Sequence, residues 1–216
     1  MTEQNYQAMR RAMVESQLRT TGVNDARVLA AMGAVPREDF VPAERRALTY
    51  ADASIPLGNG RALNPPMALG LLLVESRLTG DERALVIGTA TGYSAAVTAR
   101  LTASAVALEE DAALADTAGG ALEGSGATLI VGPLVAGHAP GAPYDFILID
   151  GAVEEVPAAI LDQVADGGRI ATGLIENGVT RLAVGRVAGG AVGFVTFADA
   201  AIAPLPGFSR PRGFSF

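Results

Sequence analysis

From residue 82 to residue 172, apolar runs of four or five residues alternate with segments of helical length and composition. This alternation constrains the chain most, because parallel strands need a crossover of a dozen or more residues between them, usually a helix. Strands are predicted over residues 83–87, 105–108, 128–131, 146–150 and 169–172, with helices over 93–101, 111–122 and 156–164. Beyond them, the runs 181–187 and 192–197 flank Ala188-Gly189-Gly190-Ala191, the pattern of a β-hairpin. The expected fold class is α/β: a mainly parallel sheet closed by an antiparallel hairpin, with helices on both faces.

The N-terminal third reads differently. Tyr6, Met9, Met13, Val14 and Leu18 recur at helical spacing, which predicts a helix over 4–19 that ends at Thr20, Thr21 and Gly22. A second helix is expected after Asn24 as N-cap, with Val28, Leu29 and Met32 on one face and Pro36 as its stop. Residues 35–66 carry loop chemistry, and a helix over 65–77 follows, with Asn64 placed to cap it and Pro65 in its first turn. The organisation expected is one domain: an N-terminal extension over 1–78 that covers the site, a core over 79–200 and an irregular tail over 201–216.

Composition narrows the chemistry. The 216 residues include no Cys, and all 16 basic residues are Arg. Thiolate nucleophiles, thiolate-bound metals, lysine Schiff bases and a P-loop lysine are therefore excluded. One histidine, His138, leaves no two-His metal face, so no metal site is expected; it reads as a surface-loop residue, with catalysis as the alternative. A formal net charge of −7 repels nucleic-acid phosphates and anionic headgroups, so neither nucleic acid nor membrane is an expected partner. The longest apolar run, Pro65 to Val74, is ten residues, well short of the roughly 18 that span a bilayer. The polar start, Met1 to Arg11, has no apolar signal region, and the location expected is cytoplasmic.

The strand over 83–87 runs into Gly88-Thr89-Ala90-Thr91-Gly92 and then a helix. Such a small-residue turn lets backbone N–H groups approach a ligand closely. Glu109 lies 21 residues past Gly88, at the end of the next strand, where a carboxylate accepts from a nucleotide's ribose hydroxyls. The alternative is a plain tight turn followed by a surface Glu. GxxxG is not the GxGxxG of dinucleotide folds, which makes NAD the lesser candidate. Asp150 ends the fourth strand on the edge where parallel sheets hold ligands, and reads either as a site residue or as a cap of the next loop. The pairs Arg10-Arg11 and Arg45-Arg46 read as solvated faces, or as recognition of a substrate carboxylate.

Several segments together resemble the protein-L-isoaspartate O-methyltransferases. They are Val35-Pro36-Arg37-Glu38-Asp39-Phe40-Val41-Pro42, Ile55-Pro56-Leu57-Gly58-Asn59-Gly60, the turn from Ile87 to Tyr93, Tyr144-Asp145, and Asp166-Gly167-Gly168-Arg169. The first two are specific to that family, and the rest recur in methyltransferases of the same fold. The resemblance implies a Rossmann-like S-adenosylmethionine methyltransferase fold with S-adenosylmethionine as cofactor. It also implies a protein or peptide bearing an isoaspartyl residue as partner, with an unknown small carboxylate as the other candidate. Gly88, Thr89, Ala90, Thr91, Gly92, Glu109 and Asp150 would hold the cofactor, Ile55, Pro56 and Leu57 the substrate, and Asn64 would stand at the catalytic position. Where the family reads T-I-S-Q-P, this chain reads Ala62-Leu63-Asn64-Pro65-Pro66; Val86, Ala90 and Pro133 replace an acid, a Gly and an Asp of its pattern.

Methylation of a carboxylate needs no general base, because carboxyl reference pKa values near 4 leave the nucleophile ionised at pH 7. Alignment and desolvation are what the protein must supply. The Asn64 amide has a donor that could orient a carboxylate, and it is equally suited to cap the following helix. Two readings stand: an active carboxyl methyltransferase, and a relative that keeps the fold but acts through binding or on a different acceptor.

Overall fold

The amphipathic N-terminus becomes helical along its whole predicted length, but with three geometries. In the computed structural model, which describes residues 3–210, α1 (Glu3–Ala12) continues as a π-helical turn over Met13–Leu18 and a 3₁₀ turn over Arg19–Thr21. Gly22, at φ +100°, ends it. Helix α2 (Ala26–Ala34) is capped by Asp25 rather than Asn24: the Asp25 carboxylate accepts from the N–H groups of Arg27 (2.7 Å) and Val28 (3.1 Å). Asn24 stands one residue too early to reach those donors.

The stretch expected to be loop holds two 3₁₀ turns, Arg37–Phe40 and Ala43–Leu48, and a hairpin of β1 (Ile55–Gly58) with β2 (Arg61–Leu63). Strands this short, one carrying Pro56, leave almost no period to read. Helix α3 (Pro66–Ser76) starts at Pro66, with Pro65 as N-cap and no cap from Asn64. Asp52 takes that duty from a distance, accepting from the Met67 N–H at 3.0 Å. Asn64 is thereby available for other contacts.

The core strands follow the sequence pattern closely. β3 (Arg83–Ile87), β4 (Ser104–Glu109), β5 (Ala127–Val131), β6 (Tyr144–Val153) and β7 (Val164–Glu176) are parallel, and β8 (Val179–Ala188) and β9 (Ala191–Asp199) add an antiparallel edge. The order is β5-β4-β3-β6-β7-β8-β9. Chain direction across the sheet reverses at β3, whose neighbours are β4 and β6, and sheets of this kind hold ligands at that point. Helices α4 (Tyr93–Ala99) and α5 (Ala112–Ala121) cross over as expected, whereas α6 is only Ala158–Leu161. The predicted helix over 156–164 is cut short because Val164 pairs with Tyr144 and opens β7.

Successive residues of the central strands point to opposite faces and nearly all are buried, so both faces are covered. Ala84 and Val86 join Met13, Leu29, Leu69 and Val97 on one side; Leu85 and Ile87 join Leu134, Ile147 and Ile160 on the other. With so short an α6 on that second face, the tail completes the cover: Leu205 and Phe208 are 5% and 2% exposed. From residue 201 to Arg210 the chain has no regular element apart from one parallel bridge between Ala152 and Pro204; the last six residues of the tail expected over 201–216, 211–216, lie outside the described residues. Among the described residues no helix is long and apolar enough to cross a membrane.

Candidate active site

The turn after β3 stands at the reversal point. Gly88 has φ +74°, and Ala90, where the resemblance expects a glycine, is held in the left-handed region at φ +52°. That conformation costs an L-residue about 1–2 kcal/mol. What holds it is Glu109, whose carboxylate accepts from the Ala90 N–H at 2.7 Å. Strand β4, parallel and in register with β3, brings the acid to the turn. Glu109 is fully buried. The Thr89 hydroxyl, also buried, has no hydrogen-bond partner among the described residues, while Thr91 turns away and donates to the Phe40 carbonyl at 2.7 Å.

Arg61 reaches the same carboxylate from β2. Its Nη1 and Nη2 donate to Glu109 Oε1 and Oε2 at 2.5 and 2.8 Å. This two-pronged ion pair is almost wholly buried, at 5% and 0% side-chain exposure. The N–H groups of Glu110 (2.9 Å) and Asp111 (3.0 Å) also donate to Glu109 Oε1.

Asn64 and Asp150, 86 residues apart, meet across the cleft. Asn64 Nδ2 donates to Asp150 Oδ1 at 2.9 Å and to the Asp150 carbonyl at 3.2 Å, and Asn64 Oδ1 accepts from the Ala203 N–H at 3.1 Å. The Asn64 carbonyl accepts from Arg37 Nη2 at 2.7 Å, and the Thr49 carbonyl accepts from Arg37 Nε at 2.9 Å. Arg37 lies under the site with no exposure, its guanidinium 4.6 Å from the Tyr93 ring centroid. Burial pushes its pKa down from the ordinary value, against the pull of Tyr93 and Asp150.

Burial holds the Asp150 carboxyl above its ordinary value, with Asn64, Arg61 and Arg37 pulling the other way. The folded chain therefore binds this proton more tightly than the unfolded chain, and stability falls as pH rises from about 4 through the raised value. Asp150→Asn is expected to raise Tm at pH 7, with the gap closing as pH falls toward 4. Thermal melts across that range check it; a lower Tm at pH 7 would mean that the ionised form is a net stabiliser through the two arginines.

The other sequence candidates fall elsewhere. Ile55 is buried in the core cluster, whereas Pro56 is exposed and Leu57 half-buried. Among the described residues His138 bonds only through its backbone, to the Gln163 side chain, the Tyr144 hydroxyl and the Gly141 N–H. Arg10 is no solvated face: it donates to Glu38 (2.7 Å) and to the Tyr50 hydroxyl (2.9 Å), and the same hydroxyl donates to Glu38. Two residues of the cleft escape sequence reading, Arg61 and Leu205. Arg61 has a signal in retrospect, as the lone charge between Gly58 and Asn64 in a chain that places an acid at 109. Leu205 has none.

The donor set fits S-adenosylmethionine in type and place: a glycine turn at the sheet's reversal point, an unpartnered buried threonine hydroxyl on it, and a carboxylate at the neighbouring strand end. Comparison with known proteins gives the family and the fold. The sequence profile of Protein-L-isoaspartate(D-aspartate) O-methyltransferase matches residues 8–187. A protein-L-isoaspartate O-methyltransferase of Methylorubrum populi is 42% identical over 165 residues, 76% of this chain and 78% of its own. That of Methanoculleus marisnigri is 38% identical over 164 residues, 74% of each. A solved protein-L-isoaspartate O-methyltransferase superposes with a TM-score of 0.80 at 21% identity, covering 92% of this chain and 66% of that one. A Plasmodium falciparum structure with bound S-adenosyl-L-homocysteine gives 0.78 at 17% identity, covering 91% and 97%. Fold and sequence thus converge, and the chain belongs to the protein-L-isoaspartate O-methyltransferase family of S-adenosylmethionine-dependent enzymes.

Proposed function

We propose that this chain methylates the free α-carboxylate of an isoaspartyl residue in a protein or peptide, the group left exposed when the backbone runs through the side-chain carboxyl. The observation that carries the reading is the Glu109 carboxylate bonded to the Ala90 N–H of the glycine turn, because an acid beside a backbone cradle at the sheet's reversal point is what a nucleotide's ribose would require. Bound there, S-adenosylmethionine supplies a methyl group on a positively charged sulfur. Gly88, Thr89 and Ala90 would hold it with backbone and hydroxyl groups, and Glu109 with its oxygens. Transfer of that methyl to a carboxylate would give an ester and a neutral thioether with no proton to move, so this chain need supply no general base. His138 is not needed.

The chain's own task is to orient and dry the acceptor. Asn64, 7% exposed and facing Asp150, is the amide placed to donate to a substrate carboxylate. Pro56, exposed on β1, is the surface offered to the peptide around it, with the half-buried Leu57 at its edge, since Ile55 is committed to the core and Leu57 packs partly against it. As folded, however, the Asn64 amide is engaged by Asp150 and Ala203, which lowers the expected rate.

Transfer of tritiated methyl to an isoaspartyl peptide, with the ordinary aspartyl peptide as control, tests this. Slow formation of a base-labile ester on the isoaspartyl peptide alone is expected. Asn64→Ser with Ala62→Thr should raise the rate by about tenfold or more, because small errors in acceptor position cost about a hundredfold. If wild type and double variant both bind the cofactor and neither esterifies the peptide, isoaspartate is not the acceptor.

A further inference from the structure

We infer that Arg61 and the C-terminal segment around Leu205 form an internal latch that occupies the cofactor's place, so that S-adenosylmethionine enters only when both withdraw. The inference rests on the cofactor reading above. It begins at Gly88. A side chain built on this glycine would stand 2.8 and 3.1 Å from the two δ-methyl groups of Leu205 and 3.3 Å from Arg61 Nη2. The face of the turn that a glycine leaves open for a ligand is therefore covered by the protein itself.

Glu109 is closed in the same way. A carboxylate offers about four acceptor sites. Here it receives five donors: both Arg61 nitrogens and the N–H groups of Ala90, Glu110 and Asp111. No capacity remains for a pair of ribose hydroxyls while Arg61 stays. The three backbone donors hold the carboxylate in place whether or not Arg61 is present, so Arg61 is the replaceable partner.

The segment carrying Leu205 is bonded across the reversal point. The Leu205 N–H donates to the Ala152 carbonyl and the Ala152 N–H to the Ala203 carbonyl, both at 2.8 Å, and the Ala203 N–H donates to Asn64. A Cβ on Gly151 would lie 2.9 Å from Leu205 Cβ, so the segment also presses on the end of β6. One latch thus covers the ribose acid and the turn while engaging the Asn64 amide.

Both halves sit on elements able to move. Arg61 follows the exposed hairpin tip Gly58-Asn59-Gly60, and a two-stranded hairpin on its own is marginal in water. Its long side chain can carry the guanidinium from the cleft to solvent as the hairpin lifts. The segment around Leu205 has no regular structure beyond its single bridge. Apparent affinity then equals the intrinsic affinity multiplied by the open fraction.

Calorimetric titration of the full chain with S-adenosyl-L-homocysteine tests the latch without turnover. Wild type, Arg61→Ala and Leu205→Ala are compared, each checked by circular dichroism; Leu205→Ala keeps the ion pair, so the test survives if Arg61→Ala fails to fold. Each folded variant is expected to bind about tenfold or more tightly than wild type. Hydrogen exchange of wild type supplies a second readout: the ligand should speed exchange at the Ala203 and Leu205 amides. Wild-type binding as tight as that of the variants, with those amides protected by ligand, would overturn the latch and leave the cofactor reading standing. Folded variants that bind no ligand would overturn both.

Discussion

Arg37→Ala is expected to cost about 3–5 kcal/mol of stability, the range for removing a buried charged partner, and to lower Tm by about 6–20 °C in a chain of this size. Arg37 is fully buried, and it bonds two carbonyls, of Thr49 and Asn64, that lie 15 residues apart. Its removal leaves both carbonyls without a donor and a void under the Tyr93 ring. Arg37→Lys should recover only part of the loss, because a point-charge ammonium cannot span two carbonyls and stack on a ring together. Thermal and urea melts of the three proteins check this order. Full recovery by lysine would show that charge alone holds the segment. Because the Asn64 carbonyl is one of the two anchors, the amide proposed above to orient the acceptor would lose its support as well.

Glu109→Ala is expected to cost about 3 kcal/mol and lower Tm by about 6–12 °C. Three backbone N–H groups, of Ala90, Glu110 and Asp111, lose their acceptor, and Ala90 loses the bond that holds it in the left-handed region. Arg61 adds little to this cost if it can follow the hairpin into water, which is why the expected loss is below that of Arg37→Ala. A Glu109→Ala loss well above the Arg37→Ala loss would mean that Arg61 is trapped. Melts on the two variants in one buffer make the comparison, and hydrogen exchange across residues 55–63 should rise in Glu109→Ala alone.

Much of the sheet was legible because its signals are local. The central strands β3, β4 and β6 each carry an apolar run of four or five residues buried on both faces, and the order of runs and helices is the order of the βαβ units. The position of Glu109 beside the turn followed from counting along that pattern, since parallel neighbours keep register over a fixed crossover. The N-terminal third was less legible. The cap at Asp25 differs from Asn24 by one residue with equally suitable chemistry, and Asp52 reaches the start of α3 from 15 residues away. β1 and β2 are too short to show a period.

By itself, then, the sequence determined the α/β class, the glycine turn with its acid 21 residues on, the absence of thiol and lysine chemistry, and the family resemblance. Each depends on residue types or on spacings shorter than one βαβ unit. Only the tertiary structure decided who meets whom in the cleft: Arg61 with Glu109 over 48 residues, Asn64 with Asp150 over 86, and Leu205 with Gly88 at the sheet's reversal point. The physical reason is that strand and turn signals come from neighbours in sequence, whereas an ion pair or a covered glycine depends on where distant segments are carried by the packing of everything between them.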